Sequence, residues 1–322
     1  MVTSRRTLLT GLAAAAAGAP PAGGLAATPA YAGTSAGAGT GAGAGTGAGA
    51  SASAGTGRTN TDLYRELAAK GPGFGEGHDY ARRYHRHEKA DVDRETHTPH
   101  ALTTVLAVHG GGIEVGTSEV CLGIAGYAPK AEGQLTAVGA PQYDYWMFEG
   151  LRSKDNDELH VTSALCDDPV ALSMTYASRI VLSVHGCKWD QAVPDSWDPA
   201  QYPDKRGVVI GGGNAGFKAL LRTELERIGI PVLPGREGLD GDLPANICNR
   251  TFRPFDGSPA QGGAQLEMTR ELRDSLFSRN GSAETRSANT NGAFTAFVNA
   301  CRAAVAEQER IVRTGEATVI PG

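Results

Sequence analysis

The sequence predicts an α/β fold, a mixed and mostly parallel sheet flanked by helices. Leu102 to Val108 and Ile180 to Val184 are continuous apolar and β-branched runs, the pattern of strands covered on both faces. Each run ends on a histidine followed by a glycine, His109-Gly110 and His185-Gly186. Helical patterns alternate with these and with shorter apolar runs, the arrangement that builds a sheet between helical layers.

Taken in order, Thr61 to Lys70 reads as a short helix, with Leu63 and Leu67 on one face and Gly71-Pro72-Gly73 as its stop. After the first strand and its glycines, Thr117 begins a helix through Ala125. Leu159 to Ser163 reads as a short strand or strand end, and Asp168-Pro169 supplies an N-cap and first-turn proline for a helix to about Ser178. Val208-Val209-Ile210 is a third strand, feeding Gly211-Gly212-Gly213 and a helix that runs to Ile228 and stops at Gly229. Ile230 to Leu233 is a further candidate, and Ala264 to Met268 alternates like a strand edge. Two helical segments, near Thr269–Phe277 and Ala293–Val312, close the chain.

Ahead of this lies a stretch that is not fold. Arg5-Arg6, the apolar run Leu12 to Ala17 and Ala30-Tyr31-Ala32 have the order of an export signal over residues 1–32, with the arginine pair pointing to the twin-arginine route. An ordinary secretion signal with two arginines is the alternative. The run is far shorter than the ~20 residues a membrane span needs, so no stable insertion is expected after signal removal. From Gly33 to Gly57 only Gly, Ala, Ser and Thr occur, so residues 33–58 read as a disordered linker with little apolar surface to bury. Residues 59–322 remain for a single α/β domain.

The net charge is −5 and becomes −7 without Arg5 and Arg6, which argues against a general nucleic-acid binder. It leaves room for an anionic polymer held by a few local arginines. Five scattered cysteines are not a disulfide framework, and buried free thiols are the expectation.

In open α/β sheets, ligands gather at the carboxyl ends of strands, where His109 and His185 stand. Glu114 follows His109 across three glycines that let the chain fold back tightly. Two histidines and a carboxylate make a catalytic zinc set with a fourth position open. A glycine-rich turn with a hydrogen-bonded histidine has the same sequence. Glu267, in Gln265-Leu266-Glu267, fits a general acid/base; a salt bridge to Arg270 or Arg273 is the competing reading, and Glu271 the competing base. Arg250 suits a clamp on a substrate carboxylate or a structural ion pair. His160 is either a substrate-facing group or a core histidine, and it competes with His185 as third metal ligand.

The run Val105 to Glu119 resembles the signature of the poly-γ-glutamate hydrolase family. Phe148-Glu149-Gly150, Leu159 to Ser163, Asp167-Asp168-Pro169, Ser183 to Gly186, Ile210-Gly211-Gly212, Asn246-Ile247 with Asn249-Arg250, and Gln265-Leu266-Glu267 follow in that family's order. The resemblance spans roughly Asp79 to Leu276. It implies a zinc carboxypeptidase-like, three-layer α/β/α fold and a Zn2+-dependent enzyme that cleaves γ-glutamyl amide bonds. By position it makes His109, Glu114 and His185 the metal ligands and Glu267 the general acid/base, with His185 chosen over His160 as third ligand for its place at a strand end. Two departures stand out: the signal and linker fall outside the pattern, and Cys166 stands where an aromatic residue is expected. The same machinery aimed at peptidoglycan or an N-acyl-glutamate, or a non-catalytic polymer- or wall-binding protein on the same fold, are the alternatives.

Two other signals are set aside. Gly211 to Gly216 satisfies G-x-G-x-x-G, yet no acidic residue ends a clear second strand about 20 residues on, as a dinucleotide site requires. Cys187, two residues after His185, is poorly spaced for a thiol–imidazole pair. His78, His85, His87, His97 and His100 lie in a charged stretch and receive no role.

Overall fold

A computed structural model describes residues 57–87, 102–236, 238–255 and 260–315, all in the unit Ala50–Gly322. The expected signal, almost all of the linker, His97 and His100 lie outside the described residues. The strands are β1 (Tyr80–His85), β2 (Thr103–Gly111), β3 (Asp144–Gly150), β4 (Ile180–Cys187), β5 (Val208–Gly211), β6 (Val232–Leu233) and β7 (Ala264–Thr269). The helices are α1 (Asn60–Ala68), α2 (Thr117–Ala125), α3 (Pro169–Tyr176) and α4 (Trp189–Ala192), then α5 (Ala215–Arg227), α6 (Arg270–Ser275), α7 (Ala283–Ser287) and α8 (Gly292–Thr314). Among the described residues no helix is long and apolar enough to cross a membrane.

The strands form one sheet in the order β1-β3-β2-β4-β7-β5-β6. β3, β2, β4 and β7 run parallel, while β1 and β5 pair antiparallel with β3 and β7. One face packs Val105, Leu182 and Leu266 against α2, α5 and α8. The other packs Leu106, Trp146 and Val181 against α1 and α3. Helices on both faces give the three layers expected.

Most elements form for the reasons legible in the chain. The Asp168 carboxylate accepts from Val170 and Ala171 N–H groups at 2.9 and 3.0 Å, capping α3 where proline costs no hydrogen bond. All five cysteines are buried and free. Two expectations are revised. Leu159–Ser163 is not a strand; 3-10 turns at Asn156–Leu159 and Ser163–Leu165 flank an extended link. Ala264–Met268 belongs to an interior strand, buried throughout between β4 and β5. The Gly211–Gly213 turn leaves antiparallel β5 towards the amino end of β7, away from the two strand-end histidines.

Candidate metal centre

His109, His185 and Glu267 lie near the carboxyl ends of three neighbouring parallel strands. Along β2, Val105 and Ala107 face the α2 side, while Leu106 and Val108 face the α1 side. Strict alternation would turn His109 to the α2 side. The ladder with β3 slips here: Ala107 pairs with Met147 but Gly110 with Glu149, leaving Val108 and His109 opposite Phe148 alone. This bulge re-aims His109 to the face that also carries His185 and Glu267.

The next turn brings Glu114 back. Gly111 adopts φ 63°, and a Cβ there would lie 2.5 Å from Gly150 O, so only glycine fits. Glu114 N–H donates to His109 O at 2.8 Å, closing the turn. The Glu114 carboxylate then lies 2.9 Å from His109 Nδ1 through Oε1, and 3.8 Å from His185 Nδ1 through Oε2. Gly186 N–H donates to that Oε2 at 2.7 Å.

The two Nδ1 atoms of His109 and His185 face each other at 3.1 Å. On the far side of each ring, Nε2 is engaged: His109 Nε2 donates to Val161 O at 2.8 Å, and His185 Nε2 meets Ser183 Oγ at 2.9 Å and Ser163 Oγ at 3.3 Å. Val161 O only accepts, so His109 carries a proton on Nε2 and presents Nδ1 to Glu114 and His185, whereas the serine hydroxyls can either donate to or accept from His185 Nε2. The rings meet edge-on, at 67° and 4.9 Å between centroids, so both ring planes can pass through one point beside the two Nδ1 atoms.

His160 also approaches. Its donor atom lies within 4.8 Å of those of His109 and Glu114, and its Nδ1 is buried with no partner. Its ring, however, stacks on His109 at 3.9 Å and 28°. Two nearly parallel, separated ring planes intersect only well beyond bonding distance. An imidazole binds a metal in its own plane, so His160 and His109 are poorly disposed to share an ion.

Glu267 lies opposite His185 in the β4–β7 register, its Oε1 4.0 Å from His185 Nδ1 and 3.1 Å from the donating Gln265 Nε2. Neither Arg270 nor Arg273 bonds it: Arg270 pairs with Asp274, and Arg273 donates only to carbonyls. Glu271 sits on α6 with one buried, unpartnered carboxylate oxygen, outside the cluster. Arg250 donates to Ala245, Cys166 and Ala164 carbonyls at 2.9, 3.1 and 2.9 Å, clamping the turn that bears Ser163. Two of its five N–H groups stay free of these bonds. Cys187 donates to Glu267 O at 3.6 Å, and burial pushes its thiol far up, away from a nucleophilic thiolate. The sequence motifs give Ser163, Ser183 and the Gly186 N–H no role; Ser183 and Gly186 neighbour His185 along β4, whereas Ser163 lies 22 residues away and is brought there by the fold.

A family model for poly-gamma-glutamate hydrolase matches residues 80–300, most of the folded chain and every residue of this cluster. The chain belongs to the poly-γ-glutamate hydrolase family. It is 32% identical over 188 residues to YndL of Bacillus subtilis, covering 58% of this chain and 59% of YndL. The SPbeta prophage-derived protein YoqZ of Bacillus subtilis is 28% identical over 227 residues, 67% of each chain. The chain thus spans well under two thirds of YndL's length. A bacteriophage poly-γ-glutamate hydrolase structure shares the fold, with TM-score 0.54, 24% identity and coverage of 74% of this chain and 93% of that one. A zinc-free apo structure of YndL aligns with TM-score 0.53 and 26% identity over 79% and 97% of the two chains.

The ionisable groups of this cluster perturb one another. Burial alone would raise Glu114, but the charge and hydrogen bond of His109 outweigh it and bring the carboxyl down to about 2. Burial depresses His109 too, and Glu114 reverses the sign, so His109 is raised. His185 falls to about 4 through burial and the neighbouring His109 charge, and His160 to about 3 through that charge and burial. Both are therefore neutral at pH 7. Burial and the Glu114 charge push Glu267 well above the usual carboxylate range.

Proposed function

We propose that the chain is a zinc-dependent hydrolase that cleaves the γ-glutamyl amide bonds of poly-γ-glutamate. The observation that carries this is the meeting of two imidazole Nδ1 atoms and one carboxylate with a second carboxylate alongside. Neighbouring ligands ~2.0–2.1 Å from a tetrahedral zinc stand roughly 3.3 Å apart. The two Nδ1 atoms stand 3.1 Å apart, Glu114 Oε1 lies 2.9 Å from His109 Nδ1, and its other oxygen, Oε2, lies 3.8 Å from His185 Nδ1, all near that value. Nitrogen and carboxylate donors suit zinc. His109, Glu114 and His185 would hold the ion. The existence of a zinc-free form of YndL supports zinc as the metal.

Bound zinc supplies Lewis acidity towards a scissile carbonyl and an attacking water. The chain's own residues do the rest. Glu267, beside that position, takes a proton from the water and returns it to the departing amine nitrogen. His160 Nδ1, buried and unpartnered, is free to bond substrate. Arg250 keeps two N–H groups for a glutamyl α-carboxylate while its other donors fix the Ser163 turn. In the same reading the chain is exported, and its partner is an anionic polymer rather than nucleic acid.

Poly-γ-glutamate incubated with the protein should shorten, and a chelator should stop it until zinc is restored. A polymer size distribution unchanged by zinc-loaded protein contradicts the proposal.

A further inference from the structure

We infer that Arg273 is a positioning residue for the metal centre: its buried guanidinium ties together the three chain segments that carry Glu114, His185 and Glu267. This rests on the zinc reading above. Nη1 donates to Val115 O at 2.6 Å, Nε to Met268 O at 3.3 Å and Nη2 to Cys187 O at 3.5 Å. Val115 follows Glu114, Met268 follows Glu267, and Cys187 lies two residues past His185. One planar group therefore reaches the backbone just beyond each of the three functional side chains.

The local fold delivers it there. The Thr269 hydroxyl accepts from Leu272 N–H at 3.3 Å, starting α6 directly after β7. The first turn of α6 then turns Arg273 back under the strand ends, where it is 6% exposed. It packs on Gly186, and a Cβ at that position would collide with the guanidinium carbon. The glycine after His185 thus leaves room on β4 for the arginine.

Filling this volume does not explain the residue. A buried guanidinium bonded only to carbonyls carries a desolvation cost that Leu or Met would avoid. What it adds is a rigid fork that reaches three diverging acceptors, which a lysine ammonium cannot do at once. Arg286 is a useful contrast. It is equally buried but paired with Glu119 at 2.9 Å, and it donates to none of the site segments.

The test compares Arg273→Lys, Arg273→Gln and Arg286→Lys with the unmodified full chain, reading zinc affinity by chelator competition, kcat, KM and unfolding midpoint. Both Arg273 variants should bind zinc ten- to a hundredfold more weakly, the range for lost support of metal ligands, with kcat reduced similarly and KM within about twofold. Arg286→Lys should lose stability while zinc affinity stays at the unmodified level. Unmodified zinc affinity and kcat in Arg273→Lys would overturn the inference, as would an equal loss of zinc affinity in Arg286→Lys. If neither Arg273 variant folds while Arg286→Lys does, Arg273 belongs to fold stability and the inference also falls. Failure of the unmodified chain to bind zinc would instead refute the metal reading itself.

Discussion

His185 and Glu267 stand side by side across the β4–β7 ladder, with Nδ1 4.0 Å from Oε1. His185 Nδ1 also faces His109 Nδ1 at 3.1 Å and Glu114 Oε2 at 3.8 Å, while Glu267 Oε1 accepts from Gln265 Nε2 at 3.1 Å. Glu267→Gln keeps the volume and removes the proton carrier. It should retain zinc and lose turnover by roughly a hundredfold or more, whereas His109→Ala should lose zinc. Metal content and initial rate, measured on the same preparations, check both. A full rate in the Gln variant means another group is the base.

Zinc binding should strengthen as pH rises. In the metal-free chain the Glu114 charge and hydrogen bond outweigh burial and raise His109 above its ordinary value, so its protonated form persists to higher pH than a free imidazole's. A ligand histidine must give its proton up to bind, so the free state carries more protons and falling pH favours it. Affinity should climb through the range above pH 6.5 where His109 titrates, then level off. Calorimetry in buffers of different ionisation enthalpy should detect proton release on zinc uptake; proton uptake would reverse the sign.

Asp168 should matter to stability more than its place in a loop suggests. It is wholly buried, caps α3, and accepts from Tyr64 OH at 3.0 Å and Arg82 Nη1 at 3.1 Å. Asp168→Ala removes the cap and leaves a partly buried guanidinium without this partner. A loss of about 3 kcal/mol is expected, read from urea unfolding. A loss under about 1 kcal/mol would show that the network rearranges without it.

Arg250 separates two roles by kinetics. If its two remaining N–H groups hold a substrate carboxylate, Arg250→Lys should raise KM roughly tenfold or more with less effect on kcat. An unchanged KM with lowered stability assigns Arg250 to the Ser163 turn alone.

The strands that bear the histidines were legible because both faces are covered, so Val105–Val108 and Ile180–Val184 read as unbroken apolar runs. β1 was not legible: an edge strand of Tyr-Ala-Arg-Arg-Tyr-His buries little beyond its first residue. Gln265 and Glu267 gave β7 the alternation of a strand with one wet face, yet that polar face looks into the site rather than into solvent. Leu159–Ser163 has strand-like residues but no partner strand; its Val161 carbonyl serves His109 instead. Within the site, residue types and strand ends pointed to His109, Glu114, His185 and Glu267. The bulge that turns His109 inward and the stacking of His160 depend on register and ring orientation, which one-dimensional spacing does not carry.

The most direct test of the zinc centre is metal stoichiometry in purified unmodified chain, His185→Ala and His160→Ala. Edge-on His109 and His185 rings and stacked His109 and His160 rings predict zinc in the unmodified chain and in His160→Ala, and its loss from His185→Ala. Zinc retained in His185→Ala and lost from His160→Ala would contradict the account.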